Sequence, residues 1–221
     1  MNYIDTIYQQ TKQALIPYFG DPLEFNKTFP TVPVWTNHLF IKGSLHYGHL
    51  ELFKSEKIQV IHSNFYSHPL IEAPDLGFDV IWLNGICTGY FFDYSNNIIS
   101  CLESELKEVY ESVSEKTNRQ LPSWATSFSP YALLKRPNTE KEVLELFAKT
   151  LPLIVCWSKY VQTQYQQLLD SNPSTKDRIY KRNQYIQGLK ENPKTINALT
   201  SLVGAEETQK FVSEVLYRNL E

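Results

Sequence analysis

The strongest fold signal in the sequence lies in residues 57–94, which read KIQVIHSNFYSHPLIEAPDLGFDVIWLNGICTGYFFDY. This segment contains short apolar runs at 57–66, 78–83 and 88–94, and turn residues such as Pro69, Pro74 and Gly77 separate the first two. Short runs bounded by Pro and Gly are typical of β-strands, and strands with short connections pair most often as antiparallel neighbours. The segment therefore predicts part of an antiparallel sheet.

Further elements extend from this segment in both directions. Strands are predicted upstream at 34–40 and 49–53, and 124–134 has the pattern of one more. The spacing of apolar residues predicts helices at 2–18, 102–116, 174–190, 193–203 and 205–217. Thr139 and Glu142 have the spacing of a capping box, which predicts a long helix after residue 139. We expect an α+β fold, a three-layer α/β/α sandwich whose central antiparallel sheet is flanked by helices, in a single domain over residues 1–221.

The composition argues against several classes of protein. The formal net charge of -3, without a dense run of Lys and Arg, argues against a nucleic-acid partner. No run approaches the roughly 20 apolar residues of a membrane span, and residues 1–5 lack a signal-peptide pattern, so we expect a cytoplasmic protein without a membrane partner. Cys87, Cys101 and Cys156 are odd in number and widely separated, which argues against a disulfide framework. The 14 Tyr, 12 Phe and 4 Trp suit either a dense core or a large flat ligand.

A group of polar residues on the predicted strands is the best candidate for chemistry. His49 and Glu51 are two residues apart in one strand, so both side chains point to one face of the sheet. His62 and Asn64 share a face of the next strand, and Asp79 begins another. A His and an Asp that project from neighbouring strands can share a proton and titrate as a pair. The alternative is that each residue occupies an ordinary surface or hydrogen-bonded position.

Other chemistries find less support in the sequence. His49, Glu51 and His62 offer nitrogen and oxygen ligands for zinc or iron, which keeps a metal-dependent enzyme open as an alternative. His-x-Glu is also half of the zinc deaminase signature, but the Pro-Cys-x-x-Cys half is absent. Neither a Gly-x-Gly-x-x-Gly motif nor a P-loop is present, which argues against a nucleotide-binding reductase.

Short segments in a fixed order carry a resemblance to a known family. They are HLEL (49–52), IHS (61–63), LGFDVI (76–81), LPSW (121–124), RP (136–137), NPKT (192–195) and FVSEVL (211–216). In this order and spacing they resemble the ferredoxin-dependent bilin reductases, and the likeness runs from about residue 31 to the end of the chain. The chain is most similar to the branch that makes phycocyanobilin, in which a Glu, a His and an Asp surround the substrate.

The resemblance implies a substrate and an electron donor. The substrate would be biliverdin IXα, held between the sheet and the C-terminal helices, and electrons would come one at a time from reduced ferredoxin through bilin radicals. No bound metal or organic cofactor is implied. We expect a monomer that meets ferredoxin only transiently.

The resemblance also assigns roles to single residues. Glu51, His62 and Asp79 match the three catalytic positions, so His62 and Asp79 would share the first proton and Glu51 would protonate the vinyl group of the D ring. His49 would support them. Four further residues match positions around the substrate, where Arg136 and Lys194 would pair with its propionates and the other two, Thr88 and Asn192, would complete the substrate site.

Two matters stay open in the sequence. The product could be phycocyanobilin, or a two-electron or differently reduced bilin such as dihydrobiliverdin, phycoerythrobilin or phytochromobilin, or the chain could bind a bilin or haem without reducing it. A basic face for an acidic ferredoxin is also predicted, since complementary charge raises encounter rates. Its members would be Lys135, Lys176, Arg178, Lys181 and Arg182.

Overall fold

A single antiparallel sheet organises the structure, a computed structural model that describes residues 3–29, 31–41, 43–95, 100–113, 128–168, 175–190 and 193–217. Each of its seven strands pairs with the strands next to it in sequence. The strands are β1 (Leu23–Phe29), β2 (Val32–Phe40), β3 (Leu45–Lys54), β4 (Ile58–Ser67), β5 (Asp75–Leu83), β6 (Ile86–Ser95) and β7 (Leu133–Lys135). The predicted antiparallel sheet is confirmed.

Helices cover both faces of this sheet. They are α1 (Tyr3–Phe19), α2 (Ser100–Val113), α3 (Glu140–Gln167), α4 (Thr175–Lys190), α5 (Pro193–Val203) and α6 (Ala205–Phe211), and α6 continues into a short π-helix at Val212–Leu216. Within the described ranges, none of the helices has the length and apolar character needed to cross a bilayer.

Two buried clusters define the layers. Residues of α1, α2 and α3 pack with alternate side chains of the strands, among them Leu50, Ile61 and Phe78, to form one core. The opposite face of the sheet contributes Trp35 and Tyr66 to a second core with α4, α5 and the C-terminal segment. Because side chains alternate across a strand, each central strand serves both cores. The predicted α/β/α sandwich is therefore confirmed.

Two predictions about the sheet need correction. The edge strand β1 was not predicted, and its side chains are exposed or half-buried, so it lacks the apolar signal of a core strand. The strand predicted over 124–134 is confirmed at Leu133 and Leu134, which pair with β6 in the strand Leu133–Lys135, but it is wrong at 128–132, where the backbone forms a turn instead. Residues 124–127 lie outside the described residues.

The start of α3 follows the predicted capping pattern. The Oγ1 atom of Thr139 accepts a hydrogen bond from the backbone N–H of Glu142 at 3.2 Å. The Glu142 carboxylate in turn accepts one from the backbone N–H of Asn138 at 2.6 Å, one residue earlier than in the standard capping box. These bonds fix the first turn of the longest helix, which packs against α1 behind the sheet.

Candidate active site

A row of polar side chains crosses the sheet on the face covered by the C-terminal helices. Asn37 of β2 pairs in register with Glu51 of β3, Glu51 pairs with His62 of β4, and His62 pairs with Asp79 of β5. Side chains directly opposite each other in antiparallel strands have Cβ atoms about 5 Å apart. The register therefore brings together the Glu, the His and the Asp that the sequence singled out.

His62 lies between a carboxylate and an amide. Its Nδ1 atom is 2.8 Å from Oδ1 of Asp79, and its Nε2 atom is 2.9 Å from Nδ2 of Asn64. In this arrangement Nδ1–H donates to the carboxylate, and Nε2 accepts from the Asn64 amide, which is the pattern of a neutral imidazole. Asp79 thus stabilises a proton on the ring, while Asn64 stabilises the form that has one proton only.

The environment raises the pKa values of two of these groups. Burial lowers the pKa of His62, but the charge and hydrogen bond of Asp79 outweigh it, so the net shift is upward. Burial raises the pKa of Glu51 to about 7, although His62 and the indole of Trp35 act in the opposite direction. An acid with a pKa near the working pH is the one best suited to donate a proton.

His49 supports the row in its neutral form. It is fully buried, and burial together with the neighbouring His62 and His38 lowers its pKa well below the ordinary value. The Nε2 atom lies 2.8 Å from Oδ1 of Asn37, whose amide nitrogen faces the Trp35 carbonyl at 3.5 Å. This orientation makes Nε2 the protonated nitrogen of His49, and Nδ1 has no hydrogen-bond partner in the described part of the protein.

The C-terminal segment forms an aromatic wall over this row. The ring of Tyr217 meets His62 edge-on with centroids 6.0 Å apart, and Phe211 meets His49 at the same distance. Tyr47 Oη donates to the carbonyl of Val215 in the π-helix at 2.7 Å. π-helical turns often occur at functional sites, and here the turn places Tyr217 against the imidazole.

The remaining predicted substrate-binding residues that the structure describes lie on β6, just after β7 and on α5. Arg136 is exposed just after β7, and Lys194 is exposed in the first turn of α5. Thr88 of β6 is half-buried, with Oγ1 3.4 Å from the Ile81 carbonyl. Asn192 lies outside the described residues.

The predicted basic face is wrong for two of its members. Lys135 is 1% exposed and donates from Nζ to the carbonyl of Val113 at 2.5 Å. Arg182 is 3% exposed and pairs with Asp75. Both cations stabilise the interior, so neither is available to a partner. The side chains of the other three members, Lys176, Arg178 and Lys181, lie outside the described residues.

The geometry favours proton chemistry over metal binding at this row. Among the described residues, no group of three or more His, Cys, Asp or Glu side chains is arranged to hold a metal ion. His49 and His62 instead bond to neighbouring side chains of the sheet, as Glu51 does to Trp35. The row can therefore hold and exchange protons among neighbouring side chains of the sheet.

Comparison with known proteins identifies the family. A family model described as ferredoxin-dependent bilin reductase matches residues 33–218. The chain belongs to this family. This bilin reductase is therefore an oxidoreductase, and the family to which it belongs uses ferredoxin as electron donor.

Relatives of this bilin reductase agree with the assignment. Phycocyanobilin:ferredoxin oxidoreductases from two strains of Prochlorococcus marinus are 25% and 22% identical to it, and the matches cover 80% and 81% of this chain and 75% and 77% of the relatives. The solved structure of PcyX has a TM-score of 0.64 at 14% identity and 99% coverage of both chains. Phytochromobilin synthase from tomato, solved in complex with biliverdin, has a TM-score of 0.67 at 9% identity over 97% of this chain and 81% of its own.

Several residues of the site, among them Asn64, Trp35 and Tyr217, had no predicted role. Asn64 was expected on the face of His62, but alternation in a strand does not show which atom a side chain contacts. Trp35 lies in β2 and Tyr217 in the last described turn, and their aromatic character was shared with many core residues. The contact of each with the row depends on packing between segments distant in sequence.

Proposed function

We propose that this bilin reductase converts biliverdin IXα to phycocyanobilin with four electrons from reduced ferredoxin and four protons. The observation that supports this most strongly is the cross-strand row, where the buried carboxyl of Glu51 stands beside the His62–Asp79 pair. Ferredoxin delivers single electrons, so the substrate passes through radicals, and each added electron makes the tetrapyrrole a better base. Proton donors close to the rings complete each reduction.

Each member of the row has a distinct task in this proposal. His62 and Asp79 share the first proton, which makes the bound pigment a better electron acceptor. Glu51 protonates the vinyl group of the D ring, and its raised pKa keeps it in the acid form up to about pH 7. Neutral His49 holds the side chain of Asn37, at the β2 end of the row, in place.

Four residues outside the row would bind the propionate groups and complete the substrate site. Arg136 can pair with one propionate through two parallel hydrogen bonds, and Lys194 can pair with the other as a point charge. Thr88 would add a hydroxyl and Asn192 an amide. The exposure of Arg136 and Lys194 supports this assignment, because a propionate can then reach them from solvent.

The test is an anaerobic turnover experiment. The purified protein is mixed with biliverdin IXα and a system that regenerates reduced ferredoxin, the absorption spectrum is followed, and the products are separated by chromatography. We expect radical bands followed by phycocyanobilin. A dihydrobiliverdin, phycoerythrobilin or phytochromobilin product would keep the family activity and refute the proposed product, and binding without turnover would refute the reduction itself.

The Glu51→Gln variant separates the proposed product from its rivals. Glutamine keeps the shape of the side chain but has no acidic proton, and loss of a general acid costs about 10²- to 10⁴-fold in rate. We expect D-ring reduction to slow by this factor and bilins with an intact D-ring vinyl group to accumulate. An unchanged product distribution would show that Glu51 is not the D-ring acid.

A further inference from the structure

One oxygen of the Glu51 carboxyl group is held by a buried indole. The Nε1 atom of Trp35 lies 2.5 Å from Oε1 of Glu51, and the two residues are 1% and 4% exposed. The indole is fixed by edge-on contacts with Phe53 at 5.5 Å and Phe211 at 4.5 Å between centroids. Lys27 lies over the same ring, with Nζ 5.7 Å from its centroid. Trp35 therefore has little freedom to move away from the carboxyl group.

The hydrogen-bond chemistry of an indole decides where the proton of Glu51 can lie. An indole N–H donates and never accepts, and the carbonyl oxygen of a protonated carboxyl group accepts better than its hydroxyl oxygen, so Oε1 is favoured as the acceptor oxygen in both charge states of Glu51. We propose that Trp35 is a positioning residue that holds Oε1 and leaves Oε2 to carry the proton that Glu51 delivers to the substrate. This inference rests on the proposed role of Glu51 as the D-ring acid.

The proton transfer balances within the proposed reaction. The substrate takes one electron from a reduced ferredoxin, the Oε2–H bond of Glu51 breaks, and a C–H bond forms on the vinyl group. Glu51 remains as a carboxylate, which regains a proton from solvent before the next turnover. The Trp35 N–H donates to this carboxylate as its charge forms, so it stabilises the product side of the transfer.

Several other titratable groups interact electrostatically with Glu51 from either side of the sheet. His62 of β4 lowers the pKa of Glu51, and Asp79 of β5 raises it. Tyr217 of the C-terminal segment and Tyr8 of α1 also interact electrostatically with Glu51. Both phenols have raised pKa values and stay neutral near pH 7. Trp35 differs from all of these because its hydrogen bond cannot be lost by titration.

The first test measures the carboxyl group itself. Protein labelled with ¹³C at the glutamate side-chain carboxyl carbon is titrated by NMR, and the Glu51 signal is assigned by its absence in Glu51→Gln. The Trp35 N–H bonds more strongly to the carboxylate than to the neutral carboxyl group, so Trp35→Phe should raise the titration midpoint by about one pH unit. Trp82→Phe is the matched control, because Trp82 lies in the core on the other side of the sheet. An unmoved midpoint in Trp35→Phe would overturn the inference.

The second test measures D-ring reduction. We expect Trp35→Phe to slow this step about tenfold or more with little change in KM for biliverdin, and to move the alkaline limb of its pH profile upward. A lower rate without a shifted alkaline limb of the pH profile, or a shifted NMR midpoint without a lower rate, would overturn the positioning role.

If Trp35→Phe fails to fold, benzothienylalanine at position 35 replaces only the N–H by sulfur and keeps the ring shape. Absence of turnover in the unaltered protein would refute the proposed function, whereas the NMR titration would still decide whether Trp35 controls Glu51.

Discussion

Removal of the buried guanidinium at position 182 should loosen the attachment of α4 to the sheet. The Nε atom of Arg182 lies 2.9 Å from the Asp75 carboxylate at the start of β5, and its other nitrogens donate to the carbonyl and hydroxyl of Ser67 at the end of β4. Ser67 N–H donates to Asp75 at 3.3 Å. The side chains of Arg182 and Asp75 are 4% and 1% exposed, so water cannot replace a lost partner. Arg182→Met keeps the length of the side chain and leaves the carboxylate uncompensated.

The expected cost can be worked out from the burial of the pair. Breaking a buried ion pair by removing one partner costs about 3 to 5 kcal/mol. Burial already raises the pKa of Asp75 to about 6, even though Arg182 and Ser67 lower it. Since this value exceeds that of an unfolded Asp, the native state binds more protons, and the free energy of unfolding falls by about 3 kcal/mol as the pH rises from 4 to 6. Without Arg182 the pKa of Asp75 rises further, so the variant should lose most stability above pH 6.

Urea unfolding at several pH values tests this reasoning. We expect Arg182→Met to lose about 3 to 5 kcal/mol at pH 7 and less at pH 4, where Asp75 is protonated in both proteins. Lys107→Met is the control, because its exposed pair with Glu111 should contribute under about 1 kcal/mol. The double variant Asp75→Asn with Arg182→Met should recover part of the loss. A cost at pH 7 below about 1 kcal/mol, or one that does not change with pH, would refute the argument.

Three further predictions concern single contacts. Asn64→Val removes the donor that stabilises neutral His62, so the pKa of His62 should rise in an NMR titration, and a fall would contradict the assigned contact. Gly48→Ala places a Cβ 2.6 Å from Cδ1 of buried Phe65, so thermal unfolding should show a loss of about 1 to 3 kcal/mol; unchanged stability would show that Phe65 can move aside. Thr139→Ala should cost about 1 kcal/mol in urea unfolding through loss of the α3 cap, and no change would mean that the cap is replaced by water.

Local patterns were sufficient for most of the sheet and the closing helices. The runs at 34–40, 49–53, 78–83 and 88–94 lie within strands, and the run at 57–66 begins one residue before β4, because alternating apolar side chains and flanking turn residues act over short distances. β1 was not predicted, because an exposed edge strand needs few apolar residues and so lacks the apolar pattern of a core strand. The prediction that Lys135 and Arg182 belong to an exposed basic face was wrong for a related reason. Nothing near a cation in sequence shows that a carbonyl or a carboxylate from a distant segment will bury it.

Part of the candidate site could be predicted from local sequence patterns, and part depended on the tertiary structure. Strand alternation placed Glu51 with His49 and His62 with Asn64, because side chains two apart in a strand share a face. The strand pattern put Asp79 at the start of a neighbouring strand, and the resemblance to the bilin reductases gave it a catalytic role beside His62. The register that sets Glu51, His62 and Asp79 opposite one another, and the indole that holds Glu51, were decided only by the tertiary structure. Register and packing depend on how whole strands and helices fit together, so no short segment of sequence contains them.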